Sequence, residues 1–222
     1  DRTEYFLMLG TNPKVSNGAM MSTGANVHKK LNAIRARGGK TVLIDPRRNE
    51  TAPYCDEHHF VKPNTDALLL IGLIKSIIDN DLADLGRLEP DIQGLEHVIA
   101  MTQDFDLSQI ASATGISVET IVRLAREFAT TENAVCYGRT GVSMVEFGGL
   151  CLWLIMVLNI ITGNLDKLDN RGIHCMFIGN SKDHKEDVYC MLNMKTLKVK
   201  NIWDVLWLNK SYREWKGIEE DK

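Results

Sequence analysis

The chain lacks any Cys-x-x-Cys pair. Its five cysteines, Cys55, Cys136, Cys151, Cys175 and Cys190, lie far apart, which excludes a zinc ribbon and a local iron–sulfur motif. Scattered thiols of odd number suit a reducing compartment, so the expected location is cytoplasmic rather than periplasmic. An excess of positive charge is lacking too. The net charge of −3 over 222 residues offers no electrostatic footprint for nucleic acid or an anionic membrane. No apolar run is long enough to span a bilayer. The longest, Leu150 to Ile161, contains Asn159 and reads as a buried core helix.

Compact catalytic signatures are also missing. There is no G-x-G-x-x-G, no P-loop lysine motif, no serine nucleophile elbow and no histidine pair at metal spacing. His58 and His59 are adjacent, so on a strand they point to opposite faces and read as structural. The missing glycine fingerprint disfavours a nicotinamide-dependent dehydrogenase. The chain opens DRTEYFLMLG without an initiator Met and runs almost at once into a strand, as expected of a fragment.

What is present is an ordinary globular composition, 44% hydrophobic and 25% charged, with an alternating element pattern. Glu4 to Leu9 reads as a strand ending at Gly10, and GTNPKVSNG as a loop. Val27, Leu31 and Ile34 recur at helical spacing from about Ser22 to Arg37, and Gly38-Gly39 stops that helix. Thr41 to Ile44 is the second strand. HHFV is a third, and Thr65 can cap a helix running through Ile78. Helices follow near Leu95–Thr102, from Leu107, and through SVETIVRLAREFATT, where Ser117 starts the last. Ala134 to Tyr137 returns to strand, and Glu146 to Leu165 reads as a long helix. Such alternation predicts a Rossmann-like, doubly wound α/β domain, mostly parallel, with helices on both faces.

In an open α/β sheet the ligand sits beyond the carboxyl ends of the strands. Three polar loops fall there: Gly10-Thr11-Asn12-Pro13, Asp45-Pro46-Arg47-Arg48, and Lys62-Pro63-Asn64-Thr65-Asp66. Taken singly, Asn12 and Asp66 also suit a turn and a helix cap, and the arginines also suit solvated charge. Together they point to a nucleotide. An acid just past strand two, here Asp45, often meets a ribose. A second carboxylate such as Asp66 can accept from the N1–H and amine of guanine, and arginines can hold phosphate or stack on the base.

GTNPKVSNG, GGKTVLIDPRRNETA, VKPNTDALLLIGL and YGRTGVSMVEFGGLCLWLIMVLNIITGNLDKLDNRGI, in that order, resemble the molybdopterin oxidoreductases of the dimethyl-sulfoxide-reductase superfamily. That superfamily includes formate dehydrogenases and nitrate reductases. The likeness covers roughly Tyr5 to Phe177. It implies that residues 1–177 form a Rossmann-like domain binding the guanosine-diphosphate arm of one of two molybdopterin guanine dinucleotides, with 178–222 an unassigned tail. It further implies cofactor contacts at Gly10, Thr11, Asn12 and Ser16, then at Ile44, Asp45, Arg47 and Arg48. Contacts at Asn64, Thr65 and Asp66 follow, and Gly138, Arg139 and Gly141 approach the pterin nearer the metal.

No residue here matches the family's molybdenum ligand or its iron–sulfur cysteines, which lie upstream of this region. The chain is therefore expected to carry no catalytic or metal-binding residue, to lack turnover alone, and to partner the missing domains of an intact enzyme. The alternative is a nucleotide-binding or interaction module that has lost redox function. Beyond Phe177 the composition shifts, with three of four tryptophans in the last twenty residues. No packed element is legible there, and a frame-shifted or truncated tail is the expectation.

Overall fold

The computed structural model describes residues 2–16 and 26–164, together with the backbone of 175–180, 189–193 and 199–202. The chain forms two compact units, residues 1–167 and 168–222. In the first, four strands form one all-parallel sheet: β1 (Tyr5–Leu9), β2 (Lys40–Ile44), β3 (Glu57–His59) and β4 (Ala134–Gly138). Their order is β3-β2-β1-β4, the doubly wound arrangement in which the chain steps one way from β1 and then returns to its other side. This is the α/β class expected from the sequence.

Strand alternation divides the core into two layers. Phe6, Met8 and Leu43 face α2 (Val27–Ala36) and pack on Val27, Leu31 and Ile34. Leu7, Leu9, Val42 and Ile44 face the other way, where α3 (Asp66–Asp79), α6 (Val118–Thr130) and α8 (Gly148–Ile160) contribute Leu70, Ile74, Leu124, Phe128, Leu154 and Leu158. With both faces covered, the central strand β1 is apolar throughout rather than alternating. The smaller helices α4 (Leu95–Gln103), α5 (Leu107–Thr114) and α7 (Thr140–Ser143) extend this second layer.

Local chemistry explains the boundaries. The stop of α2 is a glycine pair: Gly38 is left-handed at φ 81°, and Gly38 and Gly39 donate back to Arg35 and Ile34 carbonyls. Ser117 caps α6 by accepting from the Thr120 amide. Thr65 precedes α3, but its hydroxyl donates to the Lys62 carbonyl instead of capping the helix. The loop expected over GTNPKVSNG holds a helical turn, α1 (Pro13–Ser16), because Pro13 suits a first helical position and Asn12 accepts from Val15 and Ser16. Residues 17–25, where the α2 helix was expected to begin, lie outside the described residues.

Two expectations need correction. The third strand is Glu57–His59, earlier than HHFV, and Phe60 projects beyond it. The helix expected over Glu146–Leu165 runs only Gly148–Ile160 and is not a buried core helix. Cys151, Leu154 and Leu158 pack inward, but Leu152, Trp153 and Met156 are exposed. A helix on one face of a sheet buries only one stripe, however apolar the rest of its surface.

Inside that apolar run, Asn159 serves the sheet. Among the described residues β4 is an edge strand, and Asn159 Oδ1 accepts from the Cys136 amide while Nδ2 donates to the Cys136 carbonyl, both at 2.9 Å. Asn164 Oδ1 accepts from the Ala134 amide at 3.1 Å. Two side-chain amides thus stand in for a fifth strand along an edge that would otherwise expose unpaired backbone groups.

At the amino edge of the sheet an ion network ties strands to α6. Arg123 grips Glu57 through two hydrogen bonds, at 3.1 and 2.8 Å, and also reaches Glu127. Lys40 bridges the same two carboxylates, and Tyr5 donates to Glu127. Partial burial raises the Glu57 carboxyl, but hydrogen bonds from Arg123, Lys40 and His59 outweigh that and hold it at about 2, against an ordinary 4.5. A carboxylate depressed on folding adds stability above its unfolded value, and that stability is lost as pH falls through its folded value. Unfolding midpoints are therefore expected to drop between about pH 4.5 and pH 2, and Glu57→Gln to flatten that acid slope.

The second unit contains a three-stranded antiparallel sheet, β5 (Cys175–Asn180), β6 (Tyr189–Asn193) and β7 (Val199–Ile202), in that order. Residue 177, the expected end of the α/β domain, falls within β5. These strands are short and separated by polar stretches, which hid their alternation in the sequence.

Candidate nucleotide site at the carboxyl edge of the sheet

The loops leaving β1, β2 and β4 converge on a cavity of about 320 Å³ lined by Gly10, Thr11, Asn12, Ser16, Asp45, Arg47, Asn49, Arg139, Thr140 and Gly141. At its floor two backbones touch. Gly10 is left-handed at φ 52°, donates to the Ile44 carbonyl, and accepts from the Gly141 amide at 2.9 Å. A Cβ on Gly141 would lie 2.5 Å from the Gly10 carbonyl oxygen, and one on Gly10 would lie 2.7 Å from the Val142 nitrogen. Only glycines allow this junction, and it leaves the cavity floor as bare backbone.

The wall beside β2 is a buried hydrogen-bond clamp. Asn49, almost wholly buried, donates to the Thr11 carbonyl at 3.1 Å and to Asp45 Oδ2 at 2.9 Å, while its Oδ1 accepts from the Thr51 amide. Thr51 donates to Asn12 Oδ1 at 2.8 Å and accepts from the Lys14 amide. Asp45 Oδ1 accepts from the Arg47 amide. The Asp45 carboxylate is thus held in one orientation with one protein donor on each oxygen, leaving acceptor capacity toward the cavity. Arg47 and Asn12 both donate to Glu50 Oε2, a carboxylate set between the first and second loops.

Of the residues proposed from sequence, Gly10, Thr11, Asn12, Ser16, Asp45, Arg47, Arg139 and Gly141 meet at this cavity. The remaining six do not line it. Ile44 is fully buried in the core and offers only its carbonyl, already taken by Gly10. Arg48 is exposed beside the site. Gly138 is closed in by Ile155 and Val142, where a Cβ would clash at 2.5 and 2.6 Å. Asn64 is left-handed at φ 64° and exposed, next to Thr65. Asp66 is only 4% exposed at the start of α3, and burial, then the charge of nearby Asp45, raises its carboxyl.

Asn49 and Thr51 were missed by sequence reasoning, because in NETA they look like any polar loop. Their order after Asp45 was the only available signal. Burial likewise pushes up the Cys55 thiol, to about 12, and the Cys151 thiol, to about 11, which suits packed side chains rather than nucleophiles or metal ligands. A second cavity, about 390 Å³, opens at the amino edge by Arg37, Lys40 and Glu127. Its Lys40 and Glu127 are already paired with each other.

No family model matches the chain. Individual proteins do. Over 133 residues it is 30% identical to the assimilatory nitrate reductase catalytic subunit of Bacillus subtilis, a stretch covering 60% of this chain and 19% of that protein. It is 27% identical to formate dehydrogenase H of Escherichia coli, over 75% of this chain and 22% of the relative. Among solved structures, acetylene hydratase from Pelobacter acetylenicus superposes with a TM-score of 0.64 at 25% identity, covering 84% of this chain and 24% of its own.

The chain is homologous to one part of each of these enzymes, which are of the molybdopterin oxidoreductase superfamily. It spans less than a quarter of the length of these three relatives. Among the described residues no helix is long and apolar enough to cross a membrane, and no three side chains cluster as metal ligands.

Proposed function

We propose that the first unit holds the guanosine-diphosphate arm of a molybdopterin guanine dinucleotide, and that the chain is a piece of a molybdenum oxidoreductase without turnover of its own. The observation that carries this reading is the Gly10–Gly141 junction, a side-chain-free floor at the carboxyl edge of a parallel sheet. A diphosphate suits that floor because no Cβ crowds it; the Gly10 and Gly141 amides already donate to the Ile44 and Gly10 carbonyls, so its hydrogen bonds come from side chains. Arg139 and Arg47 line the same cavity and supply cationic donors.

The clamped Asp45 carboxylate suits a ribose hydroxyl. Asp66, buried and close enough to feel Asp45, gains from accepting the N1–H and exocyclic amine of guanine, donors that offset its desolvation. When bound, the cofactor supplies two-electron redox chemistry at molybdenum. The residues of this chain bind and orient its nucleotide handle, and the remainder of a longer enzyme is their partner.

Calorimetry on the 222-residue chain tests the reading. GDP is expected to bind at least about tenfold tighter than ADP, the equivalent of roughly 1.4 kcal/mol for the guanine donors that adenine lacks. Equal affinities, or none, would contradict it. The reconstituted chain should show no substrate-dependent dye reduction, and measurable turnover would contradict the inactive state. A second reading, an interaction module without redox function, draws on the exposed Leu152, Trp153 and Met156 of α8. It predicts a folded chain that binds neither GDP nor the dinucleotide.

A further inference from the structure

Phe60 is a large aromatic with no core role. It sits one residue past β3, at the same carboxyl edge as the cavity, and is 58% exposed. Its ring is nonetheless held. The His58 ring meets it edge-on, with centroids 4.5 Å apart and planes at 74°. His58 Nε2 in turn lies 3.2 Å from the Asp45 carbonyl oxygen. A chain of contacts therefore runs from the cavity wall at Asp45, through His58, to an exposed aromatic at the cavity's β3 side.

Distance along the sheet assigns a part to that ring. Adjacent strands lie about 4.8 Å apart, so β3 is about 9.6 Å from β1. A nucleoside diphosphate laid across the carboxyl edge, its phosphates on the β1–β4 junction and its ribose at Asp45 beyond β2, places its base at the end of β3. We infer that Phe60, held edge-on by His58, is the stacking surface for the purine base of the bound nucleotide. The inference rests on the guanosine-diphosphate reading of the cavity. An aromatic face binds a base through its π surface and excluded water, without reading base edges. Discrimination then falls to the carboxylates, and Phe60 supplies affinity. Because His58 also contacts the β2 exit, the base platform and the ribose acceptor are positioned together.

The test uses the full chain, with GDP and inorganic pyrophosphate as probes. Phe60→Ala is expected to weaken GDP at least tenfold while leaving pyrophosphate affinity and the unfolding midpoint unchanged. Phe60→Trp is expected to keep GDP affinity, with the new indole fluorescence quenched on binding. If wild type binds GDP and Phe60→Ala binds it equally well, the stacking role is wrong and the reading of the cavity stands. Equal weakening of GDP and pyrophosphate would also overturn the role, since it would show a structural effect. If wild type binds no GDP, the cavity reading itself fails, and the stacking role with it.

Discussion

Gly141→Ala is expected to destabilise the first unit by about 1–3 kcal/mol, the range for forcing atoms into a close-packed contact, and to abolish GDP binding. The added methyl would lie 2.5 Å from the Gly10 carbonyl oxygen and 2.6 Å from its Cα. Both obstacles are backbone, so no rotamer change relieves the clash. The loops after β1 and β4 must separate, which breaks the 2.9 Å bond from the Gly141 amide to the Gly10 carbonyl and opens the cavity floor. Gly10→Ala should be at least as severe, because a left-handed backbone penalty of about 1–2 kcal/mol adds to its clash. Gly149→Ala is the control. Apart from its chain neighbours and its own helix backbone, nothing lies within 4 Å of its Cβ position, and in the first turn of α8 it should leave stability equal or slightly raised. Urea unfolding of the three variants, followed by GDP calorimetry, checks the order.

Asn159→Leu is expected to cost about 2–4 kcal/mol, despite adding an apolar side chain to an apolar helix. Removing the amide strands both the N–H and the C=O of Cys136 on an edge strand, and each unsatisfied buried group costs about 1–3 kcal/mol. Leucine cannot replace either bond. The same change at Trp153, on the exposed arc of α8, should stay within about 0.5 kcal/mol. Amide exchange gives a direct readout. The Cys136 N–H should be protected in the wild type and exchange much faster in Asn159→Leu, with the β1 amides less affected. Equal protection in both proteins would show that the side chain does not close this edge.

The elements that were legible are those whose pattern is local. Tyr5 to Leu9 and, after Lys40 and Thr41, Val42 to Ile44 are unbroken apolar runs, and buried parallel strands have that form. The Gly38-Gly39 stop and the Ser117 cap follow from the backbone needs of helix ends. Asp45, Arg47 and Gly10 of the first loop could be placed at one edge because topology alone brings carboxyl-end loops together. The illegible features depend on partners far away in sequence. Arg123 meets Glu57 across 66 residues, and Asn159 meets Cys136 across 23. In both cases the residue type alone fits many other roles. Asn49 is a loop asparagine until burial and three hydrogen bonds show it to be the clamp between two loops.

The apolar run of α8 misled for a related reason. Hydrophobicity reports what a segment can bury, whereas exposure depends on what packs against it. Trp153 and Met156 are as apolar as Leu154 and Leu158, yet only the latter pair faces the sheet.

The central claim is that the carboxyl edge of the sheet, at the Gly10–Gly141 junction, is a nucleotide-diphosphate grip. A GDP titration of the isotope-labelled 222-residue chain, followed by backbone amide shifts, tests it most directly. The largest changes are predicted at Gly10, Thr11, Asn12, Asp45 and Gly141, with Gly38, Gly39 and Lys40 at the opposite edge unmoved. Shifts centred on Gly38 to Lys40, or none at saturating GDP, would contradict it.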